Sequence, residues 1–526
     1  MINRARNSQE VQPDLLDGIL GRIQPRWWII GLLLLTILMR LPALASRSLW
    51  YDEAFSILFA REGPSAMVYG TLTPVDGVAA DVHPLLYYTL LWGWMKIFGQ
   101  GILAVRSMSV VLSVALLMAL IALARELFNQ QTALVTGLLF ALAPFQVHYG
   151  QEARMYILLA LCLVLATLGL YRGITRQSRR DIFVFGVFSA LSMYSHNLAV
   201  FFLVPLVLMF IVQYASKATF IRIFQGSILS LILYSPWLIQ LPGQISKVQQ
   251  SYWIERPGLS TIMQTLLGFV VDLPVGKTVL PYMLIISLVI FTFVWLESLR
   301  SLRRRGRDAK AGALVLGLTW LPVLLLFVIS QVRPVYIVRG LLPSAVLYLL
   351  VIAWVITSGR KLSVWTLGLC LLVGFVSGNI THFGYAGFPY APFAEMNSFL
   401  RTEQDPGAIV LHSNKLTMLP AYYDDPSLPH TFLPDRPGSG SDTLAFPTQQ
   451  VLGIFPALST LDAVQGAPRV YFVIFQKELD DYANLGLTEH PVLASLAEFY
   501  KETNRMAWGE LLLYTFEREG QADAPA

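Results

Sequence analysis

Charged residues and cysteine are both scarce in this chain. Charged side chains make up 13% of the 526 residues, against 55% hydrophobic ones. Soluble domains carry about 25% charged residues, so this composition excludes an ordinary soluble protein and favours several membrane spans. Cys162 and Cys370 are the two cysteines, and both lie inside apolar runs. No disulfide framework is therefore predicted, and both thiols are expected to pack as small hydrophobic groups.

Several familiar catalytic motifs are also missing. The sequence contains no phosphate loop of the nucleotide-hydrolase type, no metalloprotease helix motif and no nucleophile elbow. The net charge is only +5, and its distribution among loops is more informative than its size. No nucleotide site is predicted, and no nucleic acid partner is expected.

Apolar runs that are candidates for membrane spans recur along the chain, since a span needs ~20 apolar residues. They are 27–45, 84–99, 103–124, 132–148, 154–171, 182–195, 198–215, 223–241, 279–299, 311–330, 337–357 and 363–380. Arginine and lysine cluster in residues 1–26 and in the loops at 172–180, 300–310 and 359–361. These four basic segments should all be cytoplasmic.

The run 84–99 decides the topology. If it crosses the membrane, the basic loops at 172–180 and 300–310 fall outside, whereas both fall inside if it lies flat at the outer interface. Its Pro84 start, its short length and its tyrosines and tryptophans favour the interfacial position. This predicts about eleven spans, with the N-terminus inside and the C-terminus outside. A second interfacial helix is predicted at 263–273.

The composition changes after residue 380, where apolar runs shorten and proline, aspartate and glycine increase. Residues 407–412 and 469–475 have the pattern of buried strands, and 509–517 of a last strand. Residues 488–503 are predicted to be helical. The chain is thus divided by prediction into a basic cytoplasmic segment (1–26), a transmembrane catalytic domain (27–380, with 46–102 as its first outer loop carrying the interfacial helices) and an extracytoplasmic α/β domain (381–526).

Two adjacent carboxylates, Asp52 and Glu53, follow the first predicted span. Ionisable groups at a membrane interface cost energy and usually have a function. The two side chains point to different sides of their element, so different roles are expected. One could accept a proton as a general base, while the other binds a cation or an arginine. The alternative is that Asp52 caps a helix N-terminus, and the sequence leaves both interpretations open.

Other polar residues are predicted at the same outer ends of the spans. His83, before Pro84, could bind a metal, a phosphate or a sugar, or it could cap the interfacial helix. Asp81 and His83 together are too few ligands to identify a metal site. Glu152 and Arg154 could form a simple ion pair, or the arginine could hold a phosphate. Arg339, just inside an apolar run, would be costly to bury in lipid unless its side chain snorkels to the interface.

Four short motifs occur in a fixed order: 50–54 (WYDEA), 83–88 (HPLLYY), 98–99 (FG) followed by Arg106, and 149–156 (YGQEARMY). Together they resemble the integral-membrane glycosyltransferases of the protein O-mannosyltransferase-like superfamily, which have the GT-C fold and include family 39 and the bacterial aminoarabinose transferases. The resemblance is strong over about 40–200, weaker over 200–380, and only general beyond. Leu85 departs from the second proline that this family often has after the histidine.

The resemblance implies a mainly α, polytopic GT-C protein with outer interfacial helices and a small C-terminal α/β domain. It also implies a sugar donor on polyprenyl phosphate and a lipid, polysaccharide or protein acceptor outside the cell (inner) membrane. Asp52 would be the catalytic base with Glu53 beside it, and Arg339 would bind the lipid phosphate. The other predicted substrate-binding residues are Asp81, His83, Arg106, Tyr149, Gln151, Glu152, Arg154, Tyr156 and His196. Whether a divalent metal ion is needed stays open.

Two other classes of protein stay open. A transporter or flippase for lipid-linked sugars needs polar residues near the bilayer midplane and often has related halves. An inactive relative would only bind glycans through its outer domain. The predicted ionisable residues collect at outer helix ends, which favours transfer chemistry over transport.

Overall fold

In the computed structural model the described residues are 24–75, 78–79, 83–244, 254–303, 306–358, 361–403, 405–435 and 444–518. Helices dominate the described residues up to 403, together with a short β-hairpin whose two strands have two residues each. The helices of this part are α1 (Pro25–Leu38), α2 (Tyr51–Arg61), α3 (Pro64–Leu72), α4 (Leu86–Phe98), α5 (Ile102–Leu127), α6 (Gln130–Leu142), α7 (Pro144–Gln151), α8 (Tyr156–Thr175), α9 (Arg179–Ser195), α10 (Val200–Gln213), α11 (Lys217–Leu238), α12 (Leu259–Val271), α13 (Leu280–Arg303), α14 (Arg307–Ser330), α15 (Leu342–Ser358), α16 (Lys361–Gly384) and α17 (Phe393–Glu403). The hairpin consists of β1 (Pro74–Val75) and β2 (Val78–Ala79).

The helical part has the length and apolarity of a multi-span membrane protein. Among the described residues, 7 helices are long and apolar enough to cross a membrane, or up to 8 if α6 and α7, bent by 61° at their junction, form one span. Shorter apolar helices are Arg26–Leu38, Asn197–Gln213 and Leu259–Val271. Outward side chains are apolar, such as Ile232 (62% exposed) and Leu369 (64%), as lipid contact requires. The multi-span class is confirmed, and the total of about eleven spans stays a prediction.

The two predicted basic loops lie at the same end of the helix bundle. Arg172 and Arg176 at the C-terminal end of α8 pair with Glu126 at the end of α5, at 2.7 and 2.5 Å. Arg307, in the first turn of α14, donates to the Glu126 carbonyl at 2.9 Å. Arg106 lies at the opposite end of α5, about 30 Å away at 1.5 Å per residue. This arrangement is the one that the charge-based topology requires.

Helix α4 is too short to cross a bilayer. Its 13 residues reach about 20 Å, against a hydrocarbon core of about 30 Å. Tyr87, Tyr88 and Leu91 are buried against the protein, whereas Phe98 is 55% exposed. One face thus packs against α2, where Tyr88 meets Phe55 edge-on at 6.2 Å between ring centroids. This geometry fits the interfacial helix predicted at 84–99.

The C-terminal part forms a small α/β unit around a five-stranded sheet. Its elements are β3 (Ile409–His412), α18 (Lys415–Asp424), β4 (His430–Phe432), α19 (Phe446–Leu452), α20 (Thr460–Val464), β5 (Arg469–Phe475), α21 (Gln476–Asn484), α22 (Pro491–Ala497), β6 (Tyr500–Trp508) and β7 (Leu511–Arg518). The strand order is β4-β3-β5-β7-β6. Strand β3 runs parallel to β4 and β5, while β7 is antiparallel to β5 and β6. The predicted α/β character and the three predicted strands are confirmed, and the boundary at 381 stays a prediction.

The helix predicted over 488–503 is wrong at its C-terminal half. The helix ends at Ala497, and Tyr500–Trp508 form the edge strand β6. Strand β6 pairs with β7 across a tight turn in which Gly509 has φ +63°, a conformation that favours glycine. Most of its side chains are polar and exposed, so the strand carries no local apolar alternation. Its conformation depends on the partner strand rather than on its own sequence.

The C-terminal unit, named the outer unit after its predicted position, packs directly on the predicted first outer loop. Helix α18 contacts α2, and α19 contacts α3. Tyr423 donates to the Gln100 carbonyl at 2.7 Å, and Thr448 donates to the Gly70 carbonyl at 2.9 Å. The outer unit therefore covers the helix that carries Asp52 and Glu53.

Candidate active site

The two adjacent carboxylates occupy the first turn of α2 and have different environments. Trp50 is the N-cap residue, in an extended conformation, and no side chain caps this helix. The alternative that Asp52 serves as the N-cap is therefore wrong. Asp52 and Glu53 lie about 100° apart around the helix, so they face different neighbours, as the sequence suggested.

Glu53 is fully buried and paired with Arg106. Its Oε1 accepts a hydrogen bond from Arg106 Nε at 2.9 Å, and its Oε2 accepts one from Arg106 Nη2 at 2.7 Å. Its Oε1 also accepts the Ala153 backbone N–H at 2.8 Å. A bidentate, charge-assisted pair of this kind is strong and directional. Glu53 thus connects α2 to α5 and to the segment after α7.

Arg106 uses its remaining donors on the loop that precedes α2. Its Nη1 donates to the carbonyls of Leu44 and Arg47 at 3.0 and 2.7 Å, and its Nη2 donates to the Ser48 carbonyl at 3.1 Å. The side chain is 3% exposed. These hydrogen bonds of Glu53 and Arg106 all join groups of the protein, and they link α2 to the loop before it.

Asp52 faces two arginines from distant parts of the chain. Its Oδ2 lies 3.2 Å from Arg339 Nη2 and 3.6 Å from Arg154 Nη2. Its side chain is 14% exposed, more than the Glu53 side chain. Arg154 also donates to the Asp52 carbonyl and to the Ser56 hydroxyl, at 3.2 and 2.8 Å. The carboxylate is thus held in place by cations but keeps an accessible edge.

These charges control the ionisation of Asp52. Burial by itself would raise the pKa of this carboxyl, because the charged form is disfavoured away from water. The positive charges of Arg154 and Arg339 outweigh burial and hold the pKa of Asp52 below its ordinary value. Asp52 is therefore an ionised carboxylate at neutral pH.

Arg339 lies in the turn Val338–Leu341 that leads into α15. Its guanidinium carbon is 5.2 Å from the ring centroid of Trp50 and 5.6 Å from that of Tyr156, within the range of cation–π attraction. The side chain is 21% exposed, so it is neither deeply buried nor free in solvent. A planar cation held between two rings beside a carboxylate is well placed to bind an anion.

The histidines predicted in the site lie near the same aromatic residues. The ring of His83 meets that of His196 edge-on at 6.1 Å, and His196 is 5.9 Å from Tyr156. His196 Nδ1 accepts the Leu198 N–H at 3.1 Å and so caps the short turn that follows it. Burial lowers the pKa of His196 well below its usual range, and nearby His83, Arg154 and Arg339 add to this shift. Asp81 lies outside the described residues.

Glu152 follows α7 and is buried beside the site. Its carbonyl accepts from the Ser109 hydroxyl at 2.6 Å and from the Arg154 N–H at 2.8 Å. The carboxylate Oε2 is buried and has no hydrogen-bond partner among the described residues. Burial raises the pKa of Glu152. The Arg154 guanidinium lies against Asp52, so the simple Glu152–Arg154 ion pair is not the arrangement that forms.

Gln151 and Tyr149 differ in their contacts: Gln151 is hydrogen-bonded within the protein, whereas Tyr149 packs against another aromatic ring. Gln151 Nε2 donates to the carbonyls of Arg40 and Pro42 at 3.0 and 2.6 Å, and its Oε1 is 2.7 Å from His382 Nε2. Gln151 therefore has a supporting position. Tyr149 meets Tyr156 edge-on at 5.5 Å between ring centroids. It therefore lies next to one of the two rings that contact Arg339.

His148, Asp272 and His382 form a cluster that was not predicted from the sequence. Their ligand atoms lie within 4.8 Å of one another, the spacing of a potential metal site. His148 Nδ1 is 2.8 Å from Asp272 Oδ2, and His382 Nδ1 is 3.8 Å from it. Arg47 Nη1 lies 3.2 Å from His382 Nδ1, where it would repel a bound cation. The three residues come from separate segments, so no local spacing could have indicated them.

The position of Lys415 was also not indicated by the sequence. It begins α18 in the outer unit, yet its Nζ lies 5.8 Å from the ring centroid of Tyr51, next to Asp52. A lone lysine between a strand and a helix carries no recognisable signal. Only the packing of the outer unit on α2 brings it to the site.

Comparison with known proteins supports the resemblance. Residues 82–240 match the family described as dolichyl-phosphate-mannose-protein mannosyltransferase. No curated protein gives a significant match.

Solved structures share the fold at low sequence identity. ArnT from Cupriavidus metallidurans bound to undecaprenyl phosphate matches with 12% identity and a TM-score of 0.58, covering 95% of this chain and 98% of that one. The apo state of ArnT matches with a TM-score of 0.59 and the same coverage of both chains. The apo oligosaccharyltransferase from Archaeoglobus fulgidus matches with 13% identity and a TM-score of 0.51, covering 94% and 74%. The chain therefore has the GT-C fold of membrane glycosyltransferases, as the four motifs indicated.

Proposed function

We propose that this chain is a membrane glycosyltransferase that moves a sugar from a polyprenyl-phosphate donor to an acceptor outside the membrane. The observation that carries the proposal is Asp52, an ionised carboxylate held between Arg154 and Arg339 at one end of the helix bundle. A base next to phosphate-binding cations is what transfer from a sugar phosphate requires. The match to the mannosyltransferase family over 82–240 supports the donor class.

The proposed reaction is a single displacement with inversion. Asp52 takes the proton of the acceptor hydroxyl while that oxygen attacks the anomeric carbon. The bond between this carbon and the phosphate oxygen breaks, and the phosphate leaves with one more negative charge. Arg339 stabilises that charge, because its guanidinium lies near Asp52 without being fully buried. Glu53 and Arg106 keep Asp52 oriented.

The lipid part of the donor fits the setting of the site. Asp52 and Arg339 lie at the ends of apolar helices, so a polyprenyl chain can stay in lipid while its phosphate reaches the arginine. The ArnT structure described above contains undecaprenyl phosphate, a ligand of the proposed class. Trp50 and Tyr149, which are only partly buried, offer aromatic faces to the sugar. The kind of sugar and the acceptor, whether lipid, polysaccharide or protein, would be decided by the remaining residues of the site.

The site end of the bundle is proposed to be extracytoplasmic, in the cell (inner) membrane. The basic residues Arg172, Arg176 and Arg307 gather at the opposite end, and such clusters face the cytoplasm. Polyprenyl-linked sugars would then be used on the outer surface. A cysteine introduced at exposed Arg333 should react with an impermeant thiol reagent in intact cells.

We propose that transfer needs no divalent metal. Arg154 and Arg339 already supply positive charge next to Asp52 Oδ2. At the His148 cluster, Arg47 supplies a cation in contact with His382. We expect incubation with EDTA, followed by its removal, to change the transfer rate by less than about twofold. A loss that added Mn²⁺, Mg²⁺ or Zn²⁺ restores would contradict this expectation.

Arg339→Met should move the acid limb of the pH–rate profile to higher pH. Arg339 is one of the charges that lower the pKa of Asp52 against the effect of burial, so its loss lets the pKa rise. The wild-type base therefore stays ionised to lower pH than an ordinary aspartate does. The exposed Arg333→Met is the matched control. Identical acid limbs in wild type and Arg339→Met would contradict the coupling.

The proposal is tested by transfer in proteoliposomes. Purified protein is supplied with radiolabelled polyprenyl-phosphate-hexose and an extract of membrane lipids, glycans and proteins, and the label is followed into new products. Transfer supports the proposal and identifies the acceptor. If the labelled donor crosses the bilayer without being consumed, the chain is a flippase and the proposal is wrong.

A further inference from the structure

Lys415 is a buried lysine that the outer unit places beside the proposed catalytic residue. It is only 5% exposed. A lysine is almost never buried without a partner. Its Nζ lies 3.3 Å from Asp435 Oδ2 and 5.8 Å from the Tyr51 ring centroid. Its positive charge is among those that lower the pKa of Asp52. The ammonium group is therefore electrostatically part of the site.

The backbone around Lys415 is firmly fixed. The residue before it, Asn414, caps α18 by accepting the Leu416 N–H at 2.8 Å. Asn414 and Ser413 both donate to Glu478 Oε2, at 2.9 and 2.7 Å. Lys415 also follows the carboxyl end of β3, which is parallel to both of its neighbours. This edge of a parallel sheet is where α/β domains usually bind ligands.

Three cations, Arg154, Arg339 and Lys415, act on Asp52. Asp52 is shared between Arg154 and Arg339, and Arg154 also donates to Ser56. Asp435 lies against Lys415. A phosphate that gains a negative charge on leaving needs more than one cation, and lysine is a compact cation suited to phosphate oxygens.

We propose that Lys415 binds the phosphate of the polyprenyl-phosphate donor, so that the outer unit completes the substrate site together with Arg339. This inference rests on the proposed function. It assigns to the C-terminal unit a direct part in donor binding, in addition to any role in choosing the acceptor. Asp435 then holds the lysine in place by forming its ion pair.

The test is binding of polyprenyl monophosphate to the full-length protein in nanodiscs. Lys415→Met removes the charge at similar length, and we expect binding about ten- to a hundredfold weaker, the effect of one lost charge-assisted contact. Lys415→Arg should recover most of the affinity. Lys477→Met is the matched control, since Lys477 is an exposed lysine of the same unit that pairs with Asp481.

A double variant separates binding from a structural role. Lys415→Met with Asp435→Asn removes both charges and leaves no buried carboxylate unpaired. If the lysine contacts the phosphate, the double variant binds as weakly as Lys415→Met. If the double variant binds like wild type, the lysine only balances Asp435 and the inference is wrong.

Two further outcomes are informative. Equal affinity of wild type and Lys415→Met overturns the role of Lys415 while leaving the proposed function intact. No binding by wild type overturns the proposed donor and this inference together. Inorganic phosphate serves as a competitor: the lipid assignment requires that it compete only weakly, and efficient competition would point to a site for free phosphate.

Discussion

Asp52→Asn is expected to reduce the rate of sugar transfer by about 10²- to 10⁴-fold, the usual contribution of a general base. The amide has the same shape as the carboxylate but cannot take the acceptor proton. It also leaves Arg154 and Arg339, at 3.6 and 3.2 Å, without their anionic partner. The rate should be measured in a single turnover with the donor already bound, so that changes in donor affinity do not enter.

The matched control is Asp480→Asn, which changes an exposed aspartate of the outer unit. It should transfer at the wild-type rate. Donor binding by Asp52→Asn should be equal to or tighter than that of wild type, because the two arginines lose a competing anion. Transfer by Asp52→Asn within a few-fold of wild type would show that another group is the base. Glu152 would be the next candidate, because its Oε2 is buried without a hydrogen-bond partner among the described residues.

Arg106→Met is expected to have the largest effect on stability. Among the described residues it leaves the buried Glu53 carboxylate with the Ala153 N–H as its remaining hydrogen-bond partner, and breaking a buried pair from one side costs about 3–5 kcal/mol. It also releases the carbonyls of Leu44, Arg47 and Ser48. The midpoint of thermal unfolding in detergent should fall well below that of wild type, and activity should be lost with the fold.

The control for this variant is Arg505→Met, which breaks an exposed pair with Glu502 on strand β6 and should change stability little. Adding Glu53→Gln to Arg106→Met should recover part of the loss, because no buried charge is left alone. If Arg106→Met unfolds no earlier than Arg505→Met, the pair does not hold the loop in place. Together with Asp52→Asn, these variants separate the residue that would act chemically from the pair that positions it.

Much of the architecture can be predicted from local patterns. Low charge and repeated apolar runs identify a multi-span protein. Burying polar groups in lipid costs free energy, so segments that cross the membrane must be mostly apolar. The basic loops at 172–180 and 300–310 are predicted to lie at the same end of the helix bundle. In the structure Arg172, Arg176 and Arg307 all contact Glu126 at one end of the bundle. The order of four short motifs indicates the GT-C fold. Strand 469–475 is predicted to the residue, since a central strand is apolar on both faces.

Other features depend on contacts between segments far apart in the chain. Adjacent residues Asp52 and Glu53 look alike in the sequence, and only the positions of Arg106 and Arg339 distinguish the buried anchor from the accessible carboxylate. Lys415 reaches the site because α18 packs on α2. Strand β6 is held by its pairing with β7 against its own polar pattern. Local composition determines how each segment meets lipid or water, whereas the role of a charged side chain is decided by which distant charge lies within a few ångströms of it.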